Sequence, residues 1–321
     1  MQDNQWQPSA SIETLKLRAA VFAKIRQFFA ERAVLEVDVP VLSKKAVSDP
    51  FIDAMDVSYR HYPEDVSQQY YLQSSPEYAM KRLLAAGSGC IYQMGKVFRN
   101  GEAGRRHNPE FTMLEWYRVA FDERGLMDEV AALISAVTDI KTFRRISYQQ
   151  AFKDYLAVDI NGASDRELAE IMRRQVEVSG DYDRDGWLNL LMSHCIEPQL
   201  QGAVFIYNYP ASQAALARVK EDRHGNAVAA RFELFIDGVE LANGYHELTD
   251  SREQQRRFEK DQSQRKALNF PVRPLETRLV SALEHGLPDC AGVALGVDRL
   301  LMLALTKSSI SEVLPFDFAR A

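Results

Sequence analysis

Apolar residues recur at helical spacing almost from the start of the chain. Between Ser11 and Arg32, Leu15, Ala19, Phe22, Ile25 and Phe29 stand three or four positions apart, which predicts an amphipathic helix. Val34 to Val39 alternates instead, with Leu35, Val37 and Val39 set against Glu36 and Asp38, and Pro40 closes that strand or holds it at an edge. Residues 43–68 are polar and irregular with room for a short strand, and Tyr70 to Gln73 is a second one. Ser75-Pro76-Glu77 opens a helix, with serine as the cap and proline at the first helical position, and Gly87 ends it. Cys90 to Arg99 and Phe111 to Tyr117 read as strands joined by the polar loop Asn100 to Glu110.

The middle of the chain is helical. Leu126, Val130, Leu133, Ile134 and Val137 share one face, and helical segments follow near 147–156, 164–178 and 186–197. Strand character returns at Val204 to Tyr209, Arg231 to Asp237 and Val239 to Asn243. Ser251 to Lys266 is a highly charged helix with a solvated face; Asp289 to Leu295 is a strand and Gly296 to Leu305 a helix. With no repeat and no linker, the pattern predicts one α+β domain over 1–321 with a helical insertion near 120–202.

Composition narrows the class. The chain has 321 residues, 46% of them hydrophobic and 26% charged, enough for a substantial core. A net charge of −6 argues against bulk electrostatic binding to nucleic acid, though a local basic groove stays open. Cys90, Cys195 and Cys290 form no CxxC pair, which favours a reducing compartment and no structural zinc. Met1 to Ala10 lacks the layout of a signal peptide, and no apolar run approaches a membrane span. The expectation is a soluble cytoplasmic enzyme or binding protein.

Phosphate-loop, dinucleotide and zinc-protease signatures are all missing, and Gly292 to Gly296 gives only a weak GxxxG. Three stretches carry candidate chemistry. Phe98-Arg99-Asn100-Gly101-Glu102 and His107-Asn108-Pro109-Glu110-Phe111 place arginine, histidine and an aromatic on a strand–loop–strand unit, where an arginine can grip a phosphate or carboxylate; taken alone it is a polar hairpin without function. Glu233 and Glu240 flank the Asp237-Gly238 turn, so paired strands would bring both carboxylates to one cavity, suited to Mg²⁺; the alternative is two exposed hairpin glutamates. In Gly292-Val-Ala-Leu-Gly296-Val-Asp-Arg299 a strand turns into a helix with Arg299 in the first turn, against the helix dipole; alone it is a packing glycine and a surface arginine.

In order and together, these blocks resemble the catalytic core of the class II aminoacyl-tRNA synthetases, an antiparallel sheet flanked by helices. SPEYAMKRL from Ser75, HNPEFTMLEWY from His107 and ELANGYHE from Glu240 resemble the lysyl branch. The first core helix begins near Ser11 and leaves no room for an anticodon-binding OB domain, so the chain resembles the truncated lysyl-tRNA synthetase paralogues that act as elongation factor P–lysine ligases. That family uses ATP and Mg²⁺ to activate (R)-β-lysine and joins it to a lysine of elongation factor P; a homodimer is expected, and no tRNA or membrane partner.

The resemblance implies roles. Arg99 and Arg299 would be the catalytic cations, Arg99 on the α-phosphate and substrate carboxylate, Arg299 over adenine and toward the γ-phosphate. Asn100, His107, Asn108, Leu241 and Gly296 would complete the ATP site, Phe111 would stack on adenine, and Glu233 and Glu240 would hold Mg²⁺. Glu77 would meet the substrate amine near the carboxylate, with Ser75, Pro76, Asn243 and Ala294 lining the pocket and Glu115, Tyr117 and Glu247 at the distal ammonium. Ser75 and Ala294 replace the alanine and glycine common in lysyl-tRNA synthetases. Gly101 departs from the family's Arg-x-Glu pattern, its glutamate displaced to Glu102, so only its backbone would serve. Two rivals stay open: a free-standing transferase acting on tRNA or another small amine, and a regulatory pseudo-synthetase that senses an amino acid.

Overall fold

The computed structural model describes residues 6–321; Met1 to Gln5, half of the stretch read as lacking a signal peptide, lie outside the described residues. The chain divides into two compact units, the first made of 1–120, 133–139 and 249–321, the second of 121–132 and 140–248.

The first unit opens with α1 (Ile12–Ala30), whose cap Ser11 accepts the Thr14 N–H. Its inward residues include Arg18, Val21, Ile25, Phe28 and Phe29, while Ala19, expected inside, is exposed. The face is rotated because Arg18 is buried by design: its guanidinium donates to Asp298 Oδ1 at 2.6 Å, Thr112 Oγ1 at 2.9 Å and the Val313 carbonyl at 3.2 Å. The alternating stretch that follows yields only β1 (Leu35–Glu36), and Leu35 is exposed rather than inside. β1 pairs in parallel with β5 for two residues, after which the Val39 N–H donates to the Gln93 side-chain oxygen instead of to a ladder carbonyl.

β2 (Leu42–Ser43), β3 (Asp56–Tyr59) and β4 (Gln68–Leu72) form a small antiparallel sheet in the order β2-β4-β3. After α2 (Glu77–Ala85), β5 (Ile91–Phe98) and β6 (Glu110–Val119) make a long antiparallel hairpin. Helices α7 (Ser251–Ala267) and α8 (Thr277–Gly286) lead to β12 (Cys290–Gly296), antiparallel to β6, and α9 (Val297–Ala304). α7 is largely solvated as expected, but Arg265 is buried and donates to the carbonyls of Ser48, Asp49 and Ile52, which pins that loop.

The second unit is reached through α3 (Glu123–Val137), which straddles the boundary. β7 (Phe143–Ser147), α4 (Tyr148–Leu156), α5 (Asp165–Gln175) and α6 (Arg184–Leu191) follow. The strands β8 (Ala203–Pro210), β9 (Val219–Glu221), β10 (Ala227–Ile236) and β11 (Val239–His246) complete it. Its sheet runs β11-β10-β8-β7, with β9 added to β10, and all pairs are antiparallel except β7 with β8. Tyr148, Phe152, Leu168, Trp187, Leu191 and Phe235 belong to one buried cluster joining helices to sheet.

Candidate active site

In the first unit the hairpin β5–β6 and strand β12 present one continuous face. Opposite residues of antiparallel strands share a face, and the register sets Gly296 and Gly95 beside Met113, Ala294 and Gln93 beside Glu115, and Gly292 and Ile91 beside Tyr117. Phe111, Glu115 and Tyr117 alternate along β6, so the ring-stacking candidate and the two ammonium-binding candidates lie on the same side, Phe111 and Glu115 about 13 Å apart along the strand.

At the Phe111 end the charges are positive. The Arg99 guanidinium lies over the Phe111 ring at 5.3 Å, and its Nε is buried with no hydrogen-bond partner among the described residues. Gly101 sits at φ 76° in the left-handed region, so the turn favours glycine there, and the displaced Glu102 reaches Arg99 at 3.7 Å. Asn100 donates to Asp53 Oδ2, and Asn108 is tied at both ends, to the Glu110 carbonyl and the Phe318 N–H. Arg299 Nη2 lies 2.6 Å from His107 Nε2. Burial, then the Arg299 cation, pushes the His107 imidazole below its ordinary value. Burial and the cations Arg105 and Arg299 likewise lower Arg106. A buried donor of this kind among mutually repelling cations is chemically suited to an anion.

At the other end the groups are acidic. Helix α2 begins one residue later than its sequence suggests, with Pro76 as cap, because Ser75 has two tasks: its Oγ accepts the Glu77 N–H and donates to Glu115 Oε2 at 2.7 Å. Tyr117 Oη donates to Glu115 Oε1 at 2.7 Å, so the buried Glu115 carboxylate is oriented from both sides. Lys81, which sequence reasoning passed over, is buried with its Nζ 2.6 Å from Glu77 Oε1. Its signal was its place four residues after Glu77 on a helix.

In the second unit the candidates lie on the β10–β11 hairpin. Asp237 and Gly238 both have positive φ, 47° and 74°, as a tight two-residue turn requires. A side chain on Gly238 would meet the Glu197 carbonyl oxygen at 2.7 Å. Glu233 stands opposite Asn243 and Glu240 opposite Phe235, with a bulge between. The two glutamates therefore share a strand face but are offset along it. Glu233 accepts from Tyr209 at 2.6 Å, Arg231 at 2.5 Å and Asn243 at 3.2 Å. Tyr209 and Arg231 were not anticipated from the sequence. Burial, opposed by the Glu233 charge, leaves Arg231 raised overall, and burial raises Tyr209. Asn243 Oδ1 is buried with no hydrogen-bond partner among the described residues, an acceptor suited to a ligand N–H. Leu241 is buried, and so is Glu247, whose backbone carbonyl accepts from Arg218. Next to Glu247, His246 lies 3.7 Å from Glu123, which also binds Lys220.

Among the described residues no group of three or more His, Cys, Asp and Glu side chains converges on a metal position. The donors fit a Mg²⁺ that completes its shell with substrate phosphates and water. A carboxylate has about four acceptor positions, and three donors occupy Glu233, which leaves capacity for one more partner.

Comparison with known proteins decides the family. The profile described as tRNA synthetases class II (D, K and N) matches residues 5–320. The chain belongs to the class II tRNA synthetase family. The antiparallel strands β5, β6 and β12 with their helices are this family's catalytic fold, as the resemblance led one to expect. Among class II relatives, a protein of Photorhabdus laumondii is 48% identical over 98% of each chain. One of Proteus mirabilis is 49% identical over 98% of each, and one of Pasteurella multocida 46% identical over 100% of this chain and 99% of its own. All three bear the name elongation factor P–(R)-β-lysine ligase.

Proposed function

We propose that the chain is an ATP-dependent ligase that activates (R)-β-lysine as an aminoacyl-adenylate and transfers it to a lysine ε-amine of elongation factor P. The observation that carries the reading is similarity over essentially the whole length of relatives bearing that name. The site chemistry is consistent with it. In the first step the substrate carboxylate attacks the α-phosphorus, the bond to the bridging oxygen breaks, and pyrophosphate departs. Negative charge accumulates on phosphate, and Arg99 and Arg299 supply fixed positive charge to meet it. Phe111, beneath Arg99, offers a ring for adenine. Mg²⁺, held by Glu240 and Glu233, would neutralise part of the phosphate charge. The carboxylate is already a nucleophile, so this step needs little acid–base catalysis.

In the second step the neutral ε-amine attacks the acyl carbon, an amide bond forms, AMP leaves with the electron pair, and the amine proton passes to solvent. Glu77 serves the amine nearer the substrate carboxylate; Glu115, Tyr117 and Glu247 serve the distal ammonium, whose burial requires an anionic partner. No helix among the described residues is long and apolar enough to cross a membrane. A cytoplasmic homodimer, joined through α1 and the strand that follows it, and a protein rather than tRNA acceptor complete the reading.

The test has two arms. The purified chain should exchange labelled pyrophosphate into ATP when given (R)-β-lysine, and should then label elongation factor P but not tRNA. No exchange with any amino acid would point to the sensor reading, and labelling of tRNA alone to the rival transferase.

A further inference from the structure

Lys81 is an ammonium buried inside a site whose task, on the reading above, is to recognise another ammonium. Its side chain is 1% exposed, against 16% for Glu77, so the pair points from the protein interior toward the open side. Lys81 holds Glu77 Oε1, and among the described residues no hydrogen bond is given to Oε2. The Glu77 N–H is fixed in turn by Ser75 Oγ, which donates onward to Glu115. A glutamate has several rotatable bonds, and a carboxylate free to turn would meet an incoming amine in many orientations, most of them unproductive. A lysine one helical turn further on removes that freedom.

We propose that Lys81 is a positioning residue for the substrate amine nearer the carboxylate: it binds one oxygen of Glu77 and presents the other. The inference rests on the amino-acid reading given above, and it assigns to Lys81 the preference for a substrate that carries this amine.

The test compares two ligands that differ only there. 6-Aminohexanoate keeps the carboxylate, the chain length and the distal ammonium of (R)-β-lysine and lacks the near amine. Dissociation constants for both, and for ATP, are measured by calorimetry on wild type, Lys81→Met, Lys81→Gln, Glu77→Gln and the double variant Lys81→Met/Glu77→Gln. Lys81→Met should reduce the preference for β-lysine over 6-aminohexanoate by about tenfold or more, the worth of a charge-assisted hydrogen bond, with ATP affinity within about twofold. Lys81→Gln, which keeps a donor without the charge, should fall between. Because Lys81 acts through Glu77, the double variant should lose no more preference than Glu77→Gln alone. The double variant also guards against misfolding, since it leaves no unpaired charge of this pair buried. A purely structural lysine would weaken both ligands equally and leave their ratio intact; that result, or additive losses, overturns the role of Lys81. Failure of the wild-type chain to distinguish the two ligands overturns instead the substrate reading on which it rests.

Discussion

Glu247 is 1% exposed, on the residue just after β11. A glutamate so deeply buried is expensive unless something positive meets it. Glu247→Gln keeps the shape and removes the charge, and should lower kcat/KM for β-lysine by roughly 2–4 kcal/mol, on the order of 30- to 1000-fold, with ATP binding little changed. Pyrophosphate exchange within about threefold of wild type would end its assignment as ammonium partner. Ala294 offers a finer test. It lies directly opposite Glu115 in the β6–β12 register, so its methyl shares a face with that carboxylate. Ala294→Gly should shift selectivity toward α-lysine, but only in part, because one methyl changes discrimination by about 1–3 kcal/mol at most. The ratio of exchange efficiencies for the two amino acids, measured in both proteins, decides it.

Glu123 begins α3 in the second unit and shows how an element can be fastened by charge. Burial works to raise its carboxyl, but hydrogen bonds from His246 and Lys220 and the Lys220 charge outweigh it and hold the group at about 2, against an ordinary 4.5. A depressed folded-state value stabilises above the unfolded value and is lost as pH falls through the folded one. The contribution is therefore complete above pH 4.5 and disappears toward pH 2. Urea unfolding of wild type and Glu123→Gln should differ by up to about 3 kcal/mol at pH 7, and the gap should close as the pH drops below about 4. A gap constant from pH 7 to pH 3 would show that the carboxylate's charge is not what counts. The elements themselves were largely legible. The α2 helix, the β5–β6 hairpin and the Asp237-Gly238 turn follow from caps, alternation and turn chemistry, all of which are local. What sequence could not give was long-range pairing of polar groups. The inward face of α1 is set by Arg18 meeting Asp298, 280 positions away. β7 escaped notice because its five residues are half-buried or exposed throughout and show no alternation. The site was legible to the same degree: Arg99, Phe111 and Glu115 stand in recognisable blocks, whereas Lys81, Tyr209 and Arg231 acquire meaning only from the carboxylates they hold.

At the scale of the whole molecule the reaction itself becomes the probe. Glu240→Gln should fold normally, yet require several-fold more Mg²⁺ for half-maximal pyrophosphate exchange, because one anionic oxygen of a cation site has been made neutral. Unchanged Mg²⁺ dependence would remove Glu240 from the metal assignment. Glu240 belongs to the second unit, which is nearly continuous in sequence, whereas the first is assembled from 1–120, 133–139 and 249–321. Its buried Arg18–Asp298 link joins its first helix to its last. During vectorial synthesis on a ribosome the two units consequently mature in a fixed order. The segment from 140 to 248 is complete while the first unit still lacks β12, α9 and the carboxylate that receives Arg18. Until the final stretch emerges, α1 carries a guanidinium with no acid to meet it and strand β6 has one unpaired edge, the kind of surface that recruits chaperones and invites proteases. A product truncated before Cys290 thus carries its own mark of incompleteness, because the sheet of the first unit closes only once β12 and α9 have emerged.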